Sequence, residues 1–226
     1  MKKMNHRFGD TVTIYEGAKI SENVKIGPFT IIFPNVVMGD GVHIGSSSII
    51  GKPPSVGKNQ TQLIGVRDTT LIEKSTSVGD HVIVYKGAQI GSGSYLADKS
   101  FIRENVKLCS GVVVGTAAVV SFNSYVGPNT KIMTYTNISG NMKIGADCFI
   151  GVHVCFVNDN EPRKMKPRKD QEGGTLGDRV MIGSNATVLP ALKIADDVTV
   201  GAGSVVTKSL STESGLYFGS PARLIE

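Results

Sequence analysis

Residues 100–126, SFIRENVKLCSGVVVGTAAVVSFNSYV, place an aliphatic side chain at every sixth position: Ile102, Leu108, Val114, Val120 and Val126. Outward from this stretch the period runs without a slip from Ile72 to Phe156, fifteen positions in a row. With about half of residues apolar, such a run has a chance of roughly 1 in 30,000. An earlier block runs from Ile14 to Ile50 and a later one from Leu176 to Val206, for 28 positions in all. The residue two before each aliphatic is mostly small or β-branched, as at Val12, Thr30, Ser48, Ser94, Val112 and Thr130; Met142 and Leu192 are exceptions. The residue after it is often glycine, as at Gly27, Gly45, Gly91, Gly115 and Gly183.

A two-residue alternation inside a six-residue repeat describes a short strand and a corner. Strand side chains alternate, so the aliphatic and the small residue two before it face the same way, inward. Glycine after the aliphatic is expected to ease the bend. Three hexads close one triangular coil, and coils stack about 4.8 Å apart. Twenty-eight hexads predict about nine coils. Residues 18 apart then share a corner: Asn105, Asn123, Asn141 and Asp159 are expected to form one column, in which asparagine satisfies turn amides. The reading is an all-β, parallel solenoid occupying residues 1–226 as one domain, with a tail at 209–226.

Composition agrees. The 226 residues are 40% hydrophobic and 19% charged, with no Trp, 6% aromatics and 27 glycines, which argues against a helical bundle and for a fold built from turns. No run reaches membrane-spanning length, and residues 1–10 lack the apolar stretch of a signal peptide, so a cytoplasmic location is expected and no membrane partner. Cys109, Cys148 and Cys155 make an odd set without CxxC, so reduced thiols are expected, and no zinc. The net charge of +5 favours anionic ligands. Basic clusters interleaved with aromatics are missing, which disfavours nucleic acid. Scans for a P-loop, HExxH, GxSxG or a dinucleotide fingerprint fail.

Two insertions break the period: residues 52–68, and residues 157–175 with their dense charge at Arg163, Lys164, Lys166, Arg168 and Lys169. Long loops in compact domains usually serve function. The hexad pattern over residues 10–226 resembles the hexapeptide-repeat acyltransferases, whose left-handed parallel β-helix and trimeric state are implied by that resemblance alone. Gly51-Lys52-Pro53-Pro54, Leu96-Ala97-Asp98-Lys99 and Val157-Asn158-Asp159-Asn160 resemble the subgroup that N-acylates nucleotide-linked amino sugars. The ending Gly219-Ser220-Pro221-Ala222-Arg223 is similar to that of many sugar acetyltransferases.

The resemblance implies acetyl-CoA as co-substrate, no tightly bound cofactor, and a dTDP- or UDP-linked amino sugar as acceptor. Transfer from a thioester to an amine needs a neutral amine, an oxyanion stabiliser and a sink for one proton. Asp98, His153 and Asn123 are the catalytic candidates, with Tyr135 and His153 expected to stack on one edge. Arg103, Glu104, Tyr135, Asn137, Asn158 and Arg163 are the acceptor-binding candidates. Gly183, Ser184, Ala195, Gly201 and Ala202 are expected along the pantetheine arm, and Lys208 and Arg223 at the phosphates of coenzyme A. His6, His43 and His81 read as exposed or turn residues. The competing readings are an O-acetyltransferase on a sugar or small alcohol and a non-catalytic β-helix scaffold. An ice-binding face would need a repeated Thr row, and a hexapeptide carbonic anhydrase a His cluster; the sequence has neither.

Overall fold

A computed structural model describes residues 7–55, 65–161, 171–210 and 214–225. Short strands follow one another around a triangular prism and pair in parallel with the strand one coil on. Three sheets result. Face I starts at Thr13–Ile14 and has ten strands, face II starts at Lys19–Ile20 and has nine, and face III starts at Lys25–Ile26 and has eleven. The register is 18 residues between regular coils, as in Phe101↔Val119 and Val119↔Asn137, and shortens at the last turn, where Thr199 pairs with Leu216. The fold is the all-β parallel β-helix expected, in its left-handed form. The chain closes with Leu216–Phe218 and, antiparallel to it, Arg223–Ile225.

The hexad aliphatics form the core: Ile14, Ile32, Ile102, Val120, Ile138 and Ile150 are fully buried. The hydroxyls two residues before an aliphatic are buried as well, and most have a defined partner; Ser100 is the exception among the described residues. Thr30 Oγ1 donates to the Gly45 carbonyl at 2.8 Å and accepts from the Ser48 amide at 3.2 Å. Thr130 repeats this with Gly145 and Cys148, at 2.9 and 3.0 Å. A serine or threonine therefore fits this position because the neighbouring coil pairs it on both sides.

Glycine works differently from the expectation. The bend is made three residues after the aliphatic, where the chain turns left-handed at Asn105, Asn123, Tyr135, Asn141 and His153, with φ between 55 and 62°. Glycine directly after the aliphatic is there for space. A Cβ on Gly115 would lie 2.5 Å from the Thr134 amide nitrogen, and one on Gly27 would lie 2.7 Å from that of Ser46. His43 also moves from its expected corner to the strand His43–Ile44, while His81 does turn a corner. His6 lies outside the described residues.

The three edges differ. The I–II edge carries both insertions and the asparagine column between them. Asn105 Nδ2 donates to Asn123 Oδ1 and Asn123 Nδ2 to Asn141 Oδ1, each at 3.1 Å. The column ends where each insertion returns. Gly65 O accepts from Asn105 at 2.8 Å, and Gln171 O accepts from Asn141 at 2.7 Å. Asp159 does not extend the column: the strand Thr175–Leu176, paired with Lys143–Ile144, resumes the coil, so Asp159 falls in the insertion and caps the Glu161 amide instead.

Candidate functional site

The III–I edge holds Tyr135 and His153 one coil apart. Their rings stack with centroids 5.1 Å apart and planes 16° from parallel. The left-handed corner projects both side chains outward, and both are exposed. The next two coils of the same edge present Gly183 and Ser184, then Gly201 and Ala202. Gly183 packs so closely that a Cβ there would strike the Ala202 amide. Beside this edge, on face I, lie Asn137 and Cys155, directly paired in register and both exposed. His153, Tyr135 and Asn137 thus meet at the foot of a lane of small residues.

The I–II edge bounds the other side of face I. Glu104 is 1% exposed and holds Arg103 by two contacts, at 2.9 Å to Nε and 3.2 Å to a terminal nitrogen. The Arg103 guanidinium also lies 4.6 Å from the Tyr85 ring centroid. Two groups, through three contacts, therefore fix one cation in place, which is how an arginine is readied for an anion. Ser139 is 6% exposed, and its hydroxyl has no hydrogen-bond partner among the described residues. One coil further, Asn158 Nδ2 donates to Gln171 Oε1 at 3.2 Å and ties together the two ends of the second insertion.

Other expected site residues lie apart from these. Asp98 is three coils from His153 along the III–I edge, about 14 Å at the usual coil spacing. Its Oδ1 accepts the Asp80 amide at 2.9 Å. Asp80, Asp178 and Asp196 do the same for Ser46, Ala146 and Asp178, at 2.6, 2.7 and 2.9 Å. Four aspartates in one repeat position with one bond each mark a corner cap. Asn123 has its amide oxygen and nitrogen both committed to the ladder. Ala195 lies on the II–III edge and Lys208 at the far end of the I–II edge, away from the lane that holds Gly183, Ser184, Gly201 and Ala202. Arg223 begins the closing strand. Arg163 and the charged run beside it lie outside the described residues.

The sequence pattern does not single out Tyr85 or Ser139, which lie three coils apart. Both occupy the position just after an aliphatic on the I–II edge, where the glycine pattern drew attention to the positions that carry no side chain. No group of three or more metal-ligating side chains occurs among the described residues. No described helix is long and apolar enough to cross a membrane.

Against known families, the bacterial transferase hexapeptide (six repeats) pattern matches residues 9–52 and 173–208. The same hexads run through every coil between. The two matched segments carry that family's hexapeptide repeat. Curated relatives include the bifunctional protein GlmU of Streptococcus agalactiae, 28% identical over 94% of this chain and 43% of that protein. GlmU of Acinetobacter baumannii (strain AYE) is 32% identical over 87% of this chain and 37% of its own length. The chain thus spans about two fifths of the length of these curated relatives. Among solved structures, LpxA of Bacteroides fragilis, a UDP-N-acetylglucosamine acyltransferase, aligns with a TM-score of 0.51 at 18% identity, covering 85% of this chain and 70% of that one. It shares the fold.

Proposed function

We propose that this protein is an acyltransferase that moves an acetyl or related acyl group from coenzyme A to the amine of a nucleotide-linked amino sugar. The observation that carries the reading is His153: an exposed imidazole, stacked on Tyr135, at the start of a lane lined by Gly183, Ser184, Gly201 and Ala202. Ser184 and Ala202 are small and at least partly exposed, which leaves an extended pantetheine arm room there, while the space over Gly183 and Gly201 is taken by the next coil and by the Phe218 ring. This fold already serves a UDP-sugar acyltransferase in Bacteroides fragilis.

In this reading the thioester carbonyl sits beside His153. The neutral amine attacks the carbonyl carbon, and the imidazole takes the proton that the amine must lose. The C–S bond then breaks, the sulfur leaves as thiolate, and the imidazolium returns the proton to it. The products are the amide and free coenzyme A. Tyr135 holds the imidazole from one side by stacking. Asn137, paired with Cys155 on face I, is the side-chain amide closest in register to orient the sugar. Arg103, fixed by Glu104 and Tyr85, meets acceptor phosphate, and Asn158 the sugar end. Asp98 is assigned to capping and not to the proton transfer. The catalytic unit is read as a homotrimer whose neighbouring prisms wall the lane.

The test is release of coenzyme A thiol from acetyl-CoA with a panel of UDP- and dTDP-linked amino sugars beside the matching hydroxy sugars. Turnover with amino sugars alone is expected. His153→Ala should lower kcat by about 100-fold or more, the usual worth of a general base. Asp98→Asn keeps a carbonyl acceptor for the Asp80 amide and should retain turnover. Turnover with hydroxy sugars alone would replace this reading by the O-acetyltransferase. No turnover and no coenzyme A binding would leave a scaffold.

A further inference from the structure

The root of the first insertion contains a cavity of about 180 Å³, lined by Phe33, Pro34, Asn35, Gly51, Pro53 and Lys86. It exists because the regular coil is broken there. Gly51 turns at φ +79°, and the register slips so that Tyr85 pairs with Lys52. A Cβ on Gly51 would lie 2.5 Å from Val36 Cγ2 and 3.2 Å from Phe33 Cβ, so the position admits only glycine. The walls are apolar: the Phe33 ring and two prolines. The rim is polar. Asp68 takes Lys86 Nζ at 2.6 Å on one oxygen and Asn35 Nδ2 at 2.8 Å on the other. Two donors thus flank one acceptor.

We propose that this cavity takes the pyrimidine base of a nucleoside diphosphate, with the phosphates against Lys52 and Arg103; the proposal rests on the nucleotide-sugar reading above. Size decides the ring. A cavity of about 150 Å³ takes benzene, so this one matches a single six-membered ring better than the fused pair of a purine. Chemistry decides the edge. Uracil and thymine present acceptor, donor, acceptor along their imide, the complement of Lys86, Asp68 and Asn35. Spacing decides the direction. Lys52 Nζ and the Arg103 guanidinium lie 5.3 and 4.6 Å from the Tyr85 centroid, so two cations flank one ring. Arg103 is two coils, about 10 Å, beyond Gly51. That is the span from a base to its phosphates. Ser139 comes two coils after Arg103 and Asn158 three, where the sugar would arrive.

The experiment is calorimetric titration of the full chain with UDP, dTDP, CDP, GDP and inorganic pyrophosphate, repeated on Asp68→Asn, with acyl transfer measured in parallel. Asp68 has a side chain 72% exposed, so the variant should fold, and its melting temperature checks this. UDP and dTDP should bind about tenfold or more tighter than GDP and pyrophosphate, the worth of one well-made set of base contacts. Asp68→Asn should weaken UDP about tenfold while CDP, whose ring nitrogen accepts, is weakened less. Equal binding of UDP, GDP and pyrophosphate, no binding of any, or an unchanged UDP-to-CDP ratio in Asp68→Asn would overturn the proposal. UDP binding at this site without any acyl transfer would instead keep the cavity and sink the acyltransferase reading.

Discussion

Asn123 shows how much one side chain does at a corner. It turns the chain at φ 55°, donates to Asn141 and accepts from Asn105. Alanine there keeps the strained backbone and loses both bonds; glycine loses the bonds and relieves the backbone. Left-handed geometry costs an ordinary residue about 1–2 kcal/mol, and each hydrogen bond contributes about 0.5–1.5 kcal/mol. Asn123→Ala should therefore destabilise by about 2–4 kcal/mol, and Asn123→Gly by about 1 kcal/mol less. Equal losses in denaturant melts would remove the backbone from the account. Arg179 and Asp197 pair on the II–III edge with two contacts, at 2.6 and 2.8 Å. The guanidinium holds the Asp197 carboxyl below its ordinary value of 3.8. A carboxyl lowered in the folded chain stabilises the fold above its ordinary value and loses that contribution as pH falls through the lowered one. Asp197→Asn should melt below wild type at about pH 6 and match it at about pH 2. A gap of the same size at both would show that the ion pair contributes nothing. Both side chains are exposed, so the gap at neutral pH is small and shrinks in salt.

The hexad is the element, and its two kinds of glycine separate two costs. Gly115 has ordinary backbone and no room: a Cβ would sit 2.5 Å from the Thr134 nitrogen. Gly203 has open space and a left-handed φ of 70°. Gly203→Ala should cost about 1–2 kcal/mol from the backbone alone. Gly115→Ala must push two coils apart and should cost about 1–3 kcal/mol from overpacking, with the larger loss of hydrogen-exchange protection in the coil above it. Equal exchange in both variants would contradict the distinction. The same contrast explains what could be read in advance. A buried aliphatic every sixth residue is periodic, so the coils, the insertions and the stacking of Tyr135 on His153 were legible by counting. The role of glycine was misread because sequence shows a missing Cβ but not whether φ or a neighbour requires it. Of the candidate site, His153, Arg103 and Asp98 were all legible as candidates, but nothing in the sequence separates them, because the capping by Asp98 depends on a bond to another coil. Tyr85 and Gly51 act through a register slip at the insertion, and a slip has no period.

The prism as a whole exposes three unlike faces. Face II displays Lys19, Lys107, Lys143 and Lys193. Face I displays Ile31, Ile49, Ile83, Phe101 and Val119 in one unbroken row of paired strands. The row ends at Asn137 and Cys155, beside His153. An apolar row on a rigid flat surface loses free energy in water, and a symmetric assembly removes it from water in every copy at once. Three prisms with their I faces toward a common axis would bury the row and leave its polar end open, where the proposed site lies. Light scattering should give three times the 23.9 kDa chain mass. Ile83→Lys places a charge mid-row, where burial without a partner is costly, and should yield a folded monomer with the circular dichroism of wild type. Lys107→Glu, on face II, should leave the trimer intact. A trimer that survives Ile83→Lys but not Lys107→Glu would move the axis to face II. In that arrangement His153, on the edge between faces III and I, would have no neighbouring prism beside it, and the proposed lane would have to be complete within one chain. Measuring mass and thiol release together on Ile83→Lys separates these cases, because only an assembly through face I loses turnover when it falls apart.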